Sequence, residues 1–363
     1  CREEADVSGS AMIIDSNLME NDFYRVELDT NGVITSIYDK LNEREVIKQG
    51  EKANKIVAYE DIPIRHDAWD INIYYKHKCW EVLDADNIKV LERGPVRMTL
   101  RIERTFLDSR ITQYIQLYRD IPRIDFRTRI DWKERNILLK AHFPVDINAS
   151  NATYDIQFGN IERPTHWNTS WDKAKFEVCA HKWADLSENG YGVSLLNDCK
   201  YGYDIKDGIM SITLLKSATY PNEDADREIH EFTYSLLPHR NDFRDCTVKQ
   251  GYALNMPFRA LVAGPNPGNL PENLSFAFVE GENVVLETIK RAENGEGIIL
   301  RMYEAYNRRG KAVLKLPVAV RQAFECNMLE ENISPLAVVN NSIHFEIRPY
   351  EIKTIRILTD GMF

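Results

Sequence analysis

The sequence predicts an all-β protein, a large antiparallel β-sandwich followed by a smaller β-sandwich. Three observations lead there. Apolar and polar residues alternate with a period of two over many short runs, as half-buried strands require. Gly, Pro, Asn, Asp and Ser punctuate those runs at turn spacing. The 3.6-residue period of an amphipathic helix is almost absent. The stretch ADREIHEFTYSLL (225–237) is ambiguous, with strand favoured for its second half.

Residues 1–20 read as a tail or linker. In FYRVELDTNGVITSIYDK (23–40), Tyr24, Val26 and Leu28 alternate with Arg25 and Glu27. Asn31-Gly32 supplies the positive φ angles of a tight hairpin turn, and Val33–Tyr38 returns as the partner strand. VRMTLRIERTFL (96–107), SRITQYIQLYRD (109–120) and RIDFRTRIDWKE (123–134) alternate in the same way. They are arginine-rich on one face, which predicts a large antiparallel sheet with one face solvated. ILLKAHFPVDI (137–147) and YGVSLLND (191–198) are more continuously apolar, as central strands would be. AGPNPGNLPEN (263–273), dense in Pro, Gly and Asn, marks a linker between a large domain at 21–262 and a small one at 274–363.

The 363 residues are 44% apolar, enough for a core in each domain. A net charge of −10 argues against a nucleic-acid partner. No apolar run is long enough for a membrane span, and no secretory signal is visible. The start at CREEADVSGS, without Met, suggests part of a longer polypeptide. Cys1, Cys79, Cys179, Cys199, Cys246 and Cys326 are scattered, without CxxC or Cys/His ligand spacing. That fits a reducing cytoplasm and argues against cysteine-bound zinc.

Three stretches could carry chemistry. RHDAWDINIYY (65–75) sets Asp67 and Asp70 around Trp69. Paired carboxylates can hydrolyse a glycoside, but on a strand residues three apart face opposite ways, which argues against a catalytic pair. The plainer reading is a polar loop that caps its own backbone and pins a tryptophan in the core. RPTHWNTSWD (163–172) packs His166, Trp167, Asn168, Trp171 and Asp172 into one predicted loop. Indoles beside amide and carboxylate groups suit sugars, the ring covering C–H groups and the polar groups taking hydroxyls. The alternative is that both indoles plug the core. Glu228, His230 and His239 invite a metal reading, but their spacing matches no ligand motif and HExxH is absent. GxSxG, P-loop and GxGxxG motifs are absent as well.

NDFYRVELDTNGVITSIYDK, EDIPIRHDAWDINIYY, the long stretch from FGNIERPTHWNTSWDKAKF to GYGVSLLNDCKYGYDI, and HEFTYSLLPH together resemble the C-terminal region of glycoside hydrolase family 38 α-mannosidases, the cytosolic and bacterial branch most nearly. The resemblance runs from about residue 20 to the end.

The resemblance implies a retaining enzyme that removes terminal α-mannosyl residues, with zinc and an aspartate nucleophile in an N-terminal barrel followed by a helical bundle. It places this chain after the bundle, so no catalytic residue and no metal ligand is expected here, and the chain alone is expected to be inactive. Its partners would be its own barrel and bundle and a mannose-containing oligosaccharide, in the cytoplasm; a homo-oligomer is compatible with the sequence. Asp67, Trp69 and Asp70 match the family's DAWD motif, and His166, Asn168, Trp171 and Asp172 its THxNTSWD motif. Lys216, in SITLLKS, is the candidate for a basic residue that reaches the active site in some branches, where the cytosolic branch usually carries Arg. A free-standing carbohydrate-binding β-sandwich is the alternative, and a purely structural module facing a neighbouring domain is compatible with the first reading.

Overall fold

A computed structural model describes residues 12–265, 267–268 and 271–359; Cys1 and the first part of the expected tail lie outside them. Residues read as tail between 13 and 20 form a hairpin instead, Ile13–Asp15 pairing with Leu18–Glu20. Met19, in the centre of its second strand, is fully buried, which the short run MIIDSNLME does not announce.

The described residues fall into two compact units. The first takes in residues up to Asp155 and Ile161–Pro257, and the second Ile156–Asn160 and the residues from Phe258 onward. Among the described residues, the first unit holds antiparallel sheets of five, nine and six strands. The long alternating runs become the strands Arg97–Phe106, Ser109–Tyr118 and Ile124–Asp131, paired in sequence order in the nine-stranded sheet. Ile229–Arg240 joins them as one long strand, so the ambiguous stretch is strand from Ile229 onward. These strands are buried more completely than one solvated face allows. Arg104 is almost fully buried, donating to the carbonyls of Asn31, Gly32 and Leu83. Its guanidinium binds the backbone of the Asn31-Gly32 turn where the sequence suggested a solvated arginine face.

That turn also differs from the two-residue type. Gly32 alone has a positive φ, +69°. The Asp29 carboxylate accepts the N–H groups of Asn31 and Val33, each at 2.9 Å, and so caps a longer turn. Asparagine and aspartate routinely build such turns with a side chain in place of backbone.

The six-stranded sheet positions the candidate residues. Its strands are Val178–Cys179, Gly202–Lys206, Ile209–Lys216, Ile137–Pro144, Lys55–Glu60 and Cys79–Glu81, in that spatial order. All three sheets of the unit contribute to one apolar core, including Ile34, Ile102, Phe126, Phe143, Ile212 and Tyr234. A helix absent from the sequence reading, Thr247–Asn255, follows the long strand. Its Gly251 approaches Trp183 closely, and Trp183 stacks on Phe243 at 5.1 Å.

The second unit holds sheets of four and five antiparallel strands around its own core, centred on Leu300, Met302, Leu314, Ile343, Ile355 and Ile357. The described residues between 257 and 277 form neither strand nor helix. No helix of the described residues is long and apolar enough to cross a membrane. Cys79, Cys179, Cys199, Cys246 and Cys326 are free thiols.

Candidate functional site

Two loops that lead into strands of the six-stranded sheet carry the candidate residues other than Lys216, which ends the strand Ile209–Lys216. The first runs from Asp61 to Lys78. Its DAWD segment is a turn, not a strand, closed by the N–H groups of Trp69 and Asp70 donating to the His66 carbonyl, each at 2.8 Å. His66 takes a φ of +52° at the start of that turn. In a turn, residues three apart need not face opposite ways as they do on a strand, so the partners of Asp67 and Asp70 decide their roles. Asp67 is buried and accepts from the Thr219 N–H at 2.6 Å, the Thr219 hydroxyl at 2.8 Å and the Tyr220 N–H at 2.9 Å. Burial opposes its ionisation, but these donors and the Lys216 charge outweigh that and hold its carboxyl below the usual range. Asp70 has no side-chain hydrogen-bond partner among the described residues and is exposed.

Trp69 is not pinned in the core. It is 68% exposed, with its ring edge-on to His66. Ile62, Ile64, Tyr74 and Tyr220 are equally displayed on the same loop and on the one that Asp67 grips. The loop's other anchor is Asp61, nearly fully buried and ion-paired to Lys216 at the end of the strand Ile209–Lys216. Burial pushes the Asp61 carboxyl up, against the pull of Lys216. Lys216 thus holds the loop through Asp61.

The second loop, 165–177, contains one helical turn, Ser170–Ala174, that the sequence reading did not expect. A capping box forms it: the Asp172 N–H donates to the Thr169 hydroxyl oxygen at 3.2 Å, while the Asp172 carboxylate accepts from the Thr169 N–H at 3.1 Å. The Thr169 hydroxyl also donates to Asp172, which is the main reason its carboxyl stays below the usual range. His166 Nδ1 lies 3.5 Å from the same carboxylate. Lys206 donates to the carbonyls of Pro164 and His166, and Trp167 Nε1 to Asp207 at 2.8 Å. The loop is held at every one of these points, yet Trp171 is 79% exposed. The side-chain amide of Asn168 has no hydrogen-bond partner among the described residues. Neither indole plugs the core: Trp167 is half-buried, and Lys76 and Lys206 each stand 4.9 Å from its ring centre.

The structure therefore sorts the candidates. Asp67, Asp172 and Lys216 serve the chain's own loops. Trp69, Asp70, Asn168 and Trp171 are presented to solvent, and His166 lies at the root of the second loop. A polar groove of about 590 Å³ reaches His166, lined also by Arg44, Asp146, Thr165, Glu188 and Asp207. No Trp, Tyr or Phe lines it, so it lacks a ring to cover a sugar's C–H face.

Beneath the two loops lies a group the sequence reading missed. Lys140, fully buried in the strand Ile137–Pro144, is ion-paired to Glu177. Tyr75 donates its hydroxyl to the same carboxylate at 2.5 Å, and Lys76 pairs with Asp204 at 2.6 Å. The signal was present: a single lysine inside the apolar run ILLKAHFP needs a buried partner. Beside it, His142 contacts the Tyr59 hydroxyl at 3.0 Å and the Ser211 hydroxyl at 2.7 Å. His230 and His239 do not meet as ligands. His230 sits on the Asp226 carbonyl, and His239 on Asp185. Among the described residues no three of His, Cys, Asp and Glu are grouped to hold a metal ion, so these residues do not fit a zinc site.

Comparison with known proteins shows the family. The model of the glycosyl hydrolases family 38 C-terminal domain matches residues 19–224, and that of the family 38 C-terminal beta sandwich domain matches 283–355. The chain belongs to glycosyl hydrolase family 38, as its C-terminal region. It is 37% identical to alpha-mannosidase G of Dictyostelium discoideum over 99% of its length, and 38% identical to alpha-mannosidase 2C1 of Homo sapiens over 94%. It is 33% identical to an alpha-mannosidase of Saccharomyces cerevisiae over 90%. In each case the chain spans 33% of the relative's own length. The crystal structure of an alpha-mannosidase from Enterococcus faecalis shares the fold, with a TM-score of 0.80 at 19% identity over 96% of this chain and 43% of that one.

Proposed function

We propose that this chain is the C-terminal, non-catalytic β portion of a retaining, zinc-dependent α-mannosidase that hydrolyses terminal α-D-mannosyl residues. On this reading the catalytic region, with its zinc, would lie outside this chain, which spans a third of the relatives' own length. The role of the chain is to support that region and to rim its mannose site. The substrate is a mannose-containing oligosaccharide, and the compartment is the cytoplasm.

One observation carries the reading. Trp69 and Trp171 are held on tightly anchored loops and left exposed, each near an unpartnered polar group, Asp70 or Asn168. Ordering a loop costs conformational entropy. A loop ordered by so many hydrogen bonds, only to expose an indole, suits a surface that meets something. Ile62, Ile64, Tyr74 and Tyr220 extend the apolar surface in the manner of a docking face. Asp70, His166 and Asn168 would accept or donate to sugar hydroxyls at its edge. Asp67, Asp172 and Lys216 would act by keeping the loops in place.

The test is Trp69→Ala and Trp171→Ala in the complete polypeptide. Both side chains are exposed, so folding should survive. Loss of one aromatic contact predicts a fall of about tenfold in kcat/KM for an α-mannoside. Unchanged kcat/KM in both variants would overturn the rim role.

A further inference from the structure

The loops bearing Trp69 and Trp171 are far apart in sequence, and each is anchored separately. We propose that Lys140, with Glu177, is a positioning pair that locks the two loops into one unit. The Glu177 carboxylate, at the end of the second loop, takes both the Lys140 ammonium from the sheet below and the Tyr75 hydroxyl from the first loop. The lock has a second strand. Lys76, next to Tyr75, pairs with Asp204 and stands over the Trp167 ring of the second loop. The floor of the assembly is rigid: Tyr59 meets the Tyr75 ring edge-on at 5.1 Å and is fixed in turn by His142.

The charges balance, with Lys76 and Lys140 against Glu177 and Asp204. Lys140 lies 3.9 Å from Asp204 as well, and one Asp204 oxygen is buried without a hydrogen-bond partner, so Asp204 depends on the two lysines. Ion pairs at a buried lysine are not needed for stability as such, because apolar residues of similar volume often serve equally well in their place. What apolar residues cannot supply is directional bonding that ties one loop to the other. The pair therefore fixes the relation between the two displayed indoles before anything is bound. This holds whether or not those indoles border a mannose site.

The double substitution Lys140→Met with Glu177→Leu separates position from stability. In the 363-residue chain, its urea midpoint should stay close to the parent's. Amide hydrogen exchange of peptides from 70–78 and from 165–177 should rise together, by about tenfold or more. Peptides from the strands Ser109–Tyr118 and Ile124–Asp131 should be unchanged. Parent-like exchange in both loops, or a rise in one loop alone, would overturn the proposal. Should the double variant not fold, Tyr75→Phe removes only the hydroxyl that bridges the loops. The same paired rise, smaller in size, is then expected, and a rise confined to 70–78 would count against the lock.

Discussion

Asp67 accepts two hydrogen bonds from Thr219, one from its backbone N–H at 2.6 Å and one from its hydroxyl at 2.8 Å. A third, from the Tyr220 N–H, fills the other oxygen. The carboxylate that looked like half of an acid/base pair is the fastener between two surface loops, and Trp69 and Tyr220 are the apolar groups it holds out to solvent.

Replacing Asp67 with Ala should release the loop at Thr219 without unfolding the sandwich. Hydrogen bonds to a charged acceptor contribute about 1.5–3 kcal/mol each, so exchange of the Thr219 and Tyr220 amide protons should speed up by about tenfold to a hundredfold. The pH dependence has a definite sign. The folded carboxyl titrates below its ordinary value, so the fastening is complete above about pH 4 and is lost as pH falls through the lowered folded value. Nuclear magnetic resonance of the two amides against pH checks both statements.

His142 gives acid sensitivity at higher pH. Burial, helped by Lys140, Lys55 and Lys76, pushes its imidazole down to about 3. The unfolded chain binds a proton near pH 6.5 and the folded chain does not, so this residue costs stability as pH drops from about 6.5 towards 3. His239 works in the other direction. Burial alone would lower its value, but Asp185 and the Arg240 carbonyl raise it. Its contribution is full below about pH 6.5 and is lost as pH rises through the raised folded value. Urea midpoints should therefore fall less on acidification in a His142→Phe variant than in the parent, and more in a His239→Phe variant.

Gly32 is required by both its conformation and its neighbours. It has a φ of +69°, and a Cβ there would lie 2.9 Å from Ile102 Cδ1 in the core. Gly32→Ala should lower stability by about 1–3 kcal/mol, read as a lower urea midpoint at an unchanged slope.

The long alternating strands were legible because the cause of each is local. Tyr24–Leu28 alternates buried and less buried residues as its side-chain pattern demands, and the runs 96–107, 109–120 and 123–134 each became one strand within a few residues of those limits. The roles of the site residues were less legible because they depend on partners distant in sequence. Nothing near Asp67 shows that Thr219 is its donor, and nothing near Arg104 shows that the Asn31 and Gly32 carbonyls are its acceptors. The helical turn at Ser170–Ala174 did leave a local trace, Thr169 three residues before Asp172, the spacing of a capping box. Proline, asparagine and serine around it concealed that trace under a loop composition.

The proposal that this chain supports an α-mannosidase site and does not contain one is open to direct measurement. The most direct measurement is release of mannose from a model α-mannoside by the purified 363-residue chain, with and without added zinc. No release above background is expected in either condition. Zinc-dependent release at a measurable rate would contradict it.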